Sequence, residues 1–333
     1  MKLTVIIPVY NGRGTIRGCL ESLEKQTFRE FGVLVVDDGS TDGTEKVIRA
    51  YAQEHPEMRI EVIRQENQGA AMARNEGIRR TETPYLTLMD QDDYIETDYL
   101  ETYMAAMETS GADIVCGGYK RVHPETGRVL RTVRPGKDDW AKYVVVAPWA
   151  HLYRTDFLKE HGIRFLKTRI GEDIYFTLTA YAHTEKIVTI PYDGYCWADN
   201  PDSVSNSKQK QMQREVDPLV LLNALWDGLP EKHCLRQESL EYFLYRYAVW
   251  YLLFTVRHTP KETVAEQYHR LMNWLRERCP GFAKNKMISL TGPAGEPFGI
   301  RLSVWGFTVL YRCGLALPAL KLFAGGKGER PGK

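Results

Sequence analysis

The six cysteines of this 333-residue chain (Cys19, Cys116, Cys196, Cys234, Cys279 and Cys313) show no paired spacing. That excludes a zinc knuckle and a disulfide framework, and it suits a reducing compartment. A dominant charge is missing as well: 44 Lys and Arg against 43 Asp and Glu leave a net +1. No global field therefore recruits nucleic acid or repels anionic substrates. No basic region, long apolar region or cleavage site precedes the first apolar run, so no secretory signal is expected and the folded part is expected in the cytoplasm. No charge-free run reaches the roughly 20 residues of a spanning helix. Gly12, Gly14 and Gly18 miss the G-x-G-x-x-G fingerprint at its third glycine, which counts against a dinucleotide site. What remains is an ordinary globular composition, long enough for one large domain with an appendage or for two domains.

What is present is an alternation of strands and helices. The β-branched run 3–9 reads as a strand buried on both faces, with Pro8 ending it into a loop, Tyr10-Asn11-Gly12. A helix is predicted over 15–25, with Ile16, Cys19, Leu20 and Leu23 on one face. A strand over 31–36 runs into Asp37-Asp38-Gly39-Ser40-Thr41-Asp42, where Ser40 or Thr41 can cap a helix over 43–55. Strand 60–64, helix 70–80 and strand 85–89 follow. This pattern predicts an α/β fold with a mostly parallel sheet and a ligand crevice at the strands' carboxyl ends. Each strand end is polar, and the fourth delivers Asp90-Gln91-Asp92-Asp93. Alternation aims Asp90 and Asp92 at one side, an oxygen-ligand pair for a hard divalent cation that also holds phosphates. The competing reading is an acidic turn that caps the next helix.

In order along the chain, Val5-Ile6-Ile7-Pro8-Val9-Tyr10-Asn11, Leu20-Glu21-Ser22-Leu23 with Gln26-Thr27-Phe28, and Val35-Val36-Asp37-Asp38-Gly39-Ser40-Thr41-Asp42 resemble the family 2 glycosyltransferases. Asn67-Gln68-Gly69, Ala73-Arg74-Asn75-Glu76-Gly77 and Asp90-Gln91-Asp92-Asp93 continue the match, which spans about residues 1–205. The resemblance implies a GT-A-type domain, an inverting transfer, a nucleotide-sugar donor that is expected to be UDP-linked, and a divalent metal, Mn2+ or Mg2+. On this mapping Pro8 and Tyr10 line the base and ribose pocket, and Asn11 completes that strand end. Asp38 accepts a hydrogen bond from a uracil N–H while Asp37 holds the loop; an Asx turn is the alternative for both. Arg74 has its guanidinium free to reach base or diphosphate, or else forms a surface ion pair. Asn67 and Gly69 shape a loop that backbone can bring close to the nucleotide. Asp92 is the main metal ligand, Asp90 holds ribose or a metal-bound water, and Asp93 caps a helix beginning near 96–97.

Further along, a strand is expected over 112–119, then a polar loop or hairpin over 123–139. The resemblance places the catalytic base in Gly171-Glu172-Asp173, at a helix start. Asp173 is the first choice and Glu172 the reserve, with ordinary first-turn acids as the alternative. Trp149 and His151 are expected to form an acceptor platform, or to be core. An edge strand is expected over 187–195 and a polar loop over 197–207. The Gln-x-x-Arg-Trp motif of the family's processive members is missing, and Tyr195-Cys196-Trp197-Ala198-Asp199-Asn200 stands instead, which implies one sugar per encounter.

The expected organisation is a catalytic domain over 1–207 (nucleotide half 1–95, acceptor half 96–207), a helical extension over 208–285 and a tail over 286–333. In the extension, Phe243, Leu244, Tyr247, Tyr251, Leu252 and Phe254 share a helical face that reads as core. The stretch 301–324 is expected either to pack on the protein or to make peripheral membrane contact. In the second case Arg301, Arg312, Lys321 and Lys327 face headgroups while Trp305, Phe307 and Leu310 are buried in lipid. The activity expected is transfer of a sugar to a hydroxyl of a glycan or lipid-linked glycan in cell-surface polysaccharide synthesis. A metal-dependent nucleotidyltransferase, which would want basic residues such as Arg13 and Arg17 at the first loop, and a non-catalytic nucleotide-sugar or glycan-binding module are the alternatives.

Overall fold

Leu3–Val9 (β1) is buried at every position, as a β-branched run inside a parallel sheet should be. Around it lie Phe31–Asp37 (β2), Ile60–Arg64 (β3) and Tyr85–Leu88 (β4), all parallel to it. Pro8 stays inside β1, paired with Val36, instead of ending it. The reason is directional: Ile6 O accepts from Met89 N, so two residues on Pro8 faces the same side, where the β4 ladder has already stopped. The missing N–H therefore goes unneeded. Between the strands run Ile16–Glu24 (α1), Thr44–Glu54 (α2) and Ala70–Arg80 (α3). Ile16, Cys19, Leu20 and Leu23 are the buried face of α1, as predicted. The cap of α2 differs from expectation: Gly43 occupies the N-cap with φ 89°, and Asp42 Oδ1 accepts from Thr44 N, so neither Ser40 nor Thr41 caps it.

Residues 1–168, 171–200, 212, 217–230 and 238–325 are described by this computed structural model. They divide into two compact units, Met1–Lys137 with Val144–Asn200, and Asp138–Tyr143 with the chain from Pro201 onward. The boundary expected after residue 207 and most of the loop expected over 197–207 lie outside the described residues.

The rest of the first unit adds Tyr94–Ile95 (β5), Tyr99–Ser110 (α4), Ile114–Cys116 (β6), Tyr119–Val122 (β7) and Val129–Val133 (β8). The single strand expected over 112–119 is two strands in different sheets. The bend between them is at Gly117-Gly118, where a Cβ on Gly118 would sit 2.0 Å from Val133 O. Residues 119–133 form the hairpin. After Ala141–Val144 (α5), most of which belongs to the second unit, come His151–Arg154 (β9), Thr155–Glu160 (α6), Glu172–Ala182 (α7), Ile187–Thr189 (β10) and Tyr195–Ala198 (β11). The large sheet has the order β10-β6-β9-β4-β1-β2-β3, parallel except at β9. A smaller sheet, β5-β11-β7-β8, takes Tyr195 into its interior, so only β10 is the expected edge.

The second unit is helical: Pro218–Gly228 (α8), Glu238–Thr255 (α9), Lys261–Arg278 (α10), Phe298–Arg312 (α11) and Ala316–Phe323 (α12). Phe243, Leu244, Tyr251 and Leu252 are core as read, whereas Phe254 is exposed. Arg246 sits between the rings of Trp140 and Phe243 and pairs with buried Glu296.

Candidate functional site

The carboxyl ends of β1, β2 and β4 meet the amino ends of α3 and α7, and the residues there interlock across long sequence distances. Asn11 has φ 49°; its N–H donates to Ser40 Oγ and its Oδ1 accepts from Thr41 N, tying the β1 and β2 loops together. Gln91, which the sequence reading passed over, clasps the other side. Its amide accepts from Tyr10 N at 2.9 Å and donates to Tyr10 O at 3.2 Å. Gly12 leaves room for that clasp, because a Cβ there would lie 2.4 Å from Gln91 Oε1 and displace the side chain. Tyr10 itself is left half exposed at the rim, and Pro8 sits beneath it in β1.

Asp37 and Asp38 are both buried, and both hold loops. Asp37 Oδ1 accepts from Ser40 N three positions on, a bond that closes the loop without capping the helix that follows. Asp38 is engaged on both oxygens: Oδ1 accepts from Gln65 Nε2 and Gln68 N, Oδ2 from Gly69 N. The carboxylate expected to meet a nucleobase is thus already occupied in shaping the 65–69 loop. Gly69, with φ 92°, starts α3, and Asn67 lies exposed on that loop with its backbone against Gly39.

Arg74 corrects another expectation. Its guanidinium is buried rather than free: Nη2 donates to Asp90 Oδ1 at 2.7 Å and Nη1 to Asp173 Oδ1 at 3.1 Å. One face covers the Phe165 ring at 5.2 Å. Phe165 is held by Asn75, whose side-chain amide exchanges two hydrogen bonds with the Phe165 backbone. The arginine joins the acidic end of β4 to the first turn of α7. Gly171, with φ 86°, is the N-cap of that helix, and Glu172 and Asp173 are its first two residues.

Asp173 keeps 34% of its side-chain surface open and is packed on its other side. Desolvation there pushes its carboxyl up to about 7; Arg74 pulls it down, and the charges of Glu172 and Asp90 push it up again. Asp92 is half buried, and burial with the charge of Asp90 raises its carboxyl as well, against a hydrogen bond from Asn200. Asp93 does not cap a helix. It is buried, accepting from Tyr195 Oη at 2.7 Å and Ala198 N at 2.8 Å, and the next helix starts only at Tyr99. Tyr195 Oη also accepts from Asp90 N, so one phenol organises both ends of the acidic turn.

Trp149 and His151 belong to the core, not to an acceptor platform. Trp149 stacks on Tyr195 with 4.3 Å between ring centroids and takes the edge of Tyr119. His151 is fully buried against Tyr181 Oη, and burial holds its imidazole down to about 3, hence neutral. Arg17 is bound to Glu21 and Glu54, which leaves it unsuited to the first-loop phosphate contact of a nucleotidyltransferase.

The sequence model of glycosyl transferase family 2 matches residues 4–170, half of the chain and all but the first residue of the β1–β9 framework. The chain belongs to glycosyl transferase family 2. This family 2 chain is 30% identical over 237 residues to glycosyltransferase GlyA of Streptococcus pneumoniae, covering 66% of this chain and 34% of that one. It is 27% identical over 270 residues to poly(ribitol-phosphate) beta-N-acetylglucosaminyltransferase TarS of Staphylococcus aureus, covering 74% and 44%. The crystal structure of S. aureus TarS 1-349 with UDP-GlcNAc superposes at a TM-score of 0.71 over 94% of this chain and 92% of that one, at 23% identity. At that identity the likeness speaks to the fold: the family 2 chain has the α/β architecture of the TarS fragment, helical region included. The chain spans between a third and two thirds of the length of the first curated relatives it matches.

Proposed function

We propose that this protein is an inverting glycosyltransferase. It moves one sugar per encounter from a nucleoside diphosphate sugar to a hydroxyl of a glycan or lipid-linked glycan acceptor in cell-surface polysaccharide synthesis. The donor is a UDP-sugar and the transferred group a hexose or N-acetylhexosamine, a reading supported by the name of TarS and by its complex with UDP-GlcNAc. The observation that carries the proposal is the Asp90–Arg74–Asp173 link, which sets a carboxylate of raised pKa beside an acidic strand end.

Asp173 takes the acceptor hydroxyl's proton on a carboxylate oxygen while the hydroxyl oxygen attacks the anomeric carbon. The bond from that carbon to the diphosphate breaks, and its electron pair leaves with the nucleoside diphosphate. A carboxyl near 7 is basic enough to accept the proton and is still partly ionised at neutral pH. Arg74 orients it, and Glu172 is the reserve at the next position. Asp92, assisted by Asp90, would hold Mn2+ or Mg2+: two neighbouring carboxylates, one raised by burial and by the other's charge, form a donor set that a hard cation relieves. When bound, such an ion neutralises charge on the leaving diphosphate. Pro8, Tyr10, Asn11, Asn67 and Gly69 frame the nucleotide pocket. The place of work is the cytoplasmic side of the cell membrane; among the described residues no helix is long and apolar enough to cross it.

A thermal-shift panel of nucleotide sugars, with and without manganese, tests the reading. UDP-sugars should raise the melting temperature only when manganese is present. Stabilisation by no nucleotide sugar, or equally well in a chelator, would overturn the metal-coupled donor site.

A further inference from the structure

The C-terminal helices present a second apolar face that the fold does not use. On α11 the inward side is Val304, Phe307 and Thr308, with Thr308 Oγ1 bonded to Tyr245 Oη. On the outward side stand Phe298, Leu302, Trp305 and Val309, which are 58%, 45%, 40% and 40% exposed. Their spacing makes one continuous stripe. On α12, Ala316 and Leu320 point inward while Leu322 and Phe323 stand out, and exposed Leu315 joins the two helices. Phe307, first read as part of a lipid-facing set, is core.

Within the segment that carries the stripe the charges have one sign. Between Phe298 and Gly325 there is no Asp or Glu, and the cations are Arg301, Arg312 and Lys321. The nearest preceding acid, Glu296, is buried and paired with Arg246. Arg301 leans over the Phe298 ring, is attracted to Glu296 and has its Nε buried, so it is left out of the rim. Arg312 reaches back to Ala283 O, beside exposed Lys284, and Arg276 donates to Tyr311 Oη on the same helix. Arg276, Lys284, Arg312 and Lys321 therefore form a basic rim. Lys327 lies outside the described residues.

We propose that this face docks onto an anionic lipid bilayer, with the stripe in the acyl–headgroup boundary and the rim on the phosphates. Charge complementarity selects that occupant. A second copy of the chain meeting this face in a two-fold contact would set basic rim against basic rim, whereas an anionic surface matches it. The helices lie on the bilayer, being too short and too charged to cross it. This inference rests on the helical unit alone and stands or falls independently of the sugar-transfer reading.

Vesicle flotation of the whole protein tests it, using phosphatidylcholine alone and phosphatidylcholine mixed with phosphatidylglycerol, at low and high salt. Flotation should require the anionic lipid and weaken with salt. A Leu302→Ser, Trp305→Ser double variant should partition about tenfold less, and Lys321→Glu about fivefold less; both residues' side chains are exposed, so the parental melting temperature should be kept. Absence of flotation with mixed vesicles at low salt would overturn the proposal, as would equal flotation of the double variant. A dimer seen by light scattering that the double variant abolishes, with no vesicle capture, would assign the face to a second copy and overturn it too.

Discussion

Two acidic strand ends, flanking β1 in one sheet, are put to different uses. At the end of β2, Asp37 and Asp38 meet four N–H donors from their own neighbourhood, and each bond closes a loop. At the end of β4, Asp90 is bound by an arginine and Asp93 by a phenol and one amide, while Asp92 stays half open with its carboxyl raised. The difference teaches how to separate scaffold from chemistry among identical residues. A carboxylate engaged on both oxygens, as Asp38 is, stabilises a shape, while carboxylates crowded together store charge that a ligand can relieve.

The sharpest separation should come at the residue that Arg74 joins to the β4 end. Asp173→Asn should cut transfer by about three orders of magnitude, the effect of removing a general base, while donor-induced thermal stabilisation is retained. Loss of both would make Asp173 part of the scaffold, like Asp38. In the parent enzyme the rate should fall about tenfold per pH unit below about 7 and level off above it, because the base works ionised and its carboxyl is raised. An acid limb near the ordinary carboxylate range would remove Asp173 from that role.

From the scaffold side, Asp38→Ala deprives Gln68 N, Gly69 N and the Gln65 amide of their acceptor at a buried position. The expected loss is about 2–4 kcal/mol of stability in denaturant melts. If the variant melts like the parent yet no longer binds uridine nucleotides, then Asp38 contacts the base and the comparison fails at that residue.

How much of this could be read in advance follows from how far apart the partners are. The strand–helix alternation, the buried β1 and the polar strand ends are local patterns, and they are where expected. Asp93 read as a helix cap because a cap is what local rules offer an acid after a strand. Its real donors, on β11, lie about a hundred positions away. The Gln91 clasp on Tyr10 spans 81 positions and carries no motif of its own; the glycine at position 12, which leaves it room, is its one trace. Trp149 and His151 were ambiguous between sugar platform and core, and only packing against Tyr195 and Tyr181 decides. For Arg74 the sequence leaves a free fork and a surface ion pair open, because nothing near it announces that two carboxylates, 16 and 99 positions on, converge there and bury it.

The smallest expected effect probes the same boundary from the middle. Tyr195→Phe removes one donor from Asp93, leaving Ala198 N, and takes the acceptor from Asp90 N, so the loss should be about 2 kcal/mol. Its pH dependence is the informative part. Burial and the charges of Asp90 and Asp92 hold the Asp93 carboxyl well above its ordinary range, and the Tyr195 hydroxyl opposes that shift by stabilising the ionised form. A raised carboxyl contributes most to the fold when protonated, and that contribution fades as the pH climbs through its folded pKa. Removing the phenol raises the carboxyl further, so the gap in stability between Tyr195→Phe and the parent should widen with rising pH. Melts run in chelator without nucleotide measure it. A gap that is constant with pH would mean that Asp93 does not change its protonation over that range, and that the acidic turn is saturated scaffold at this position after all.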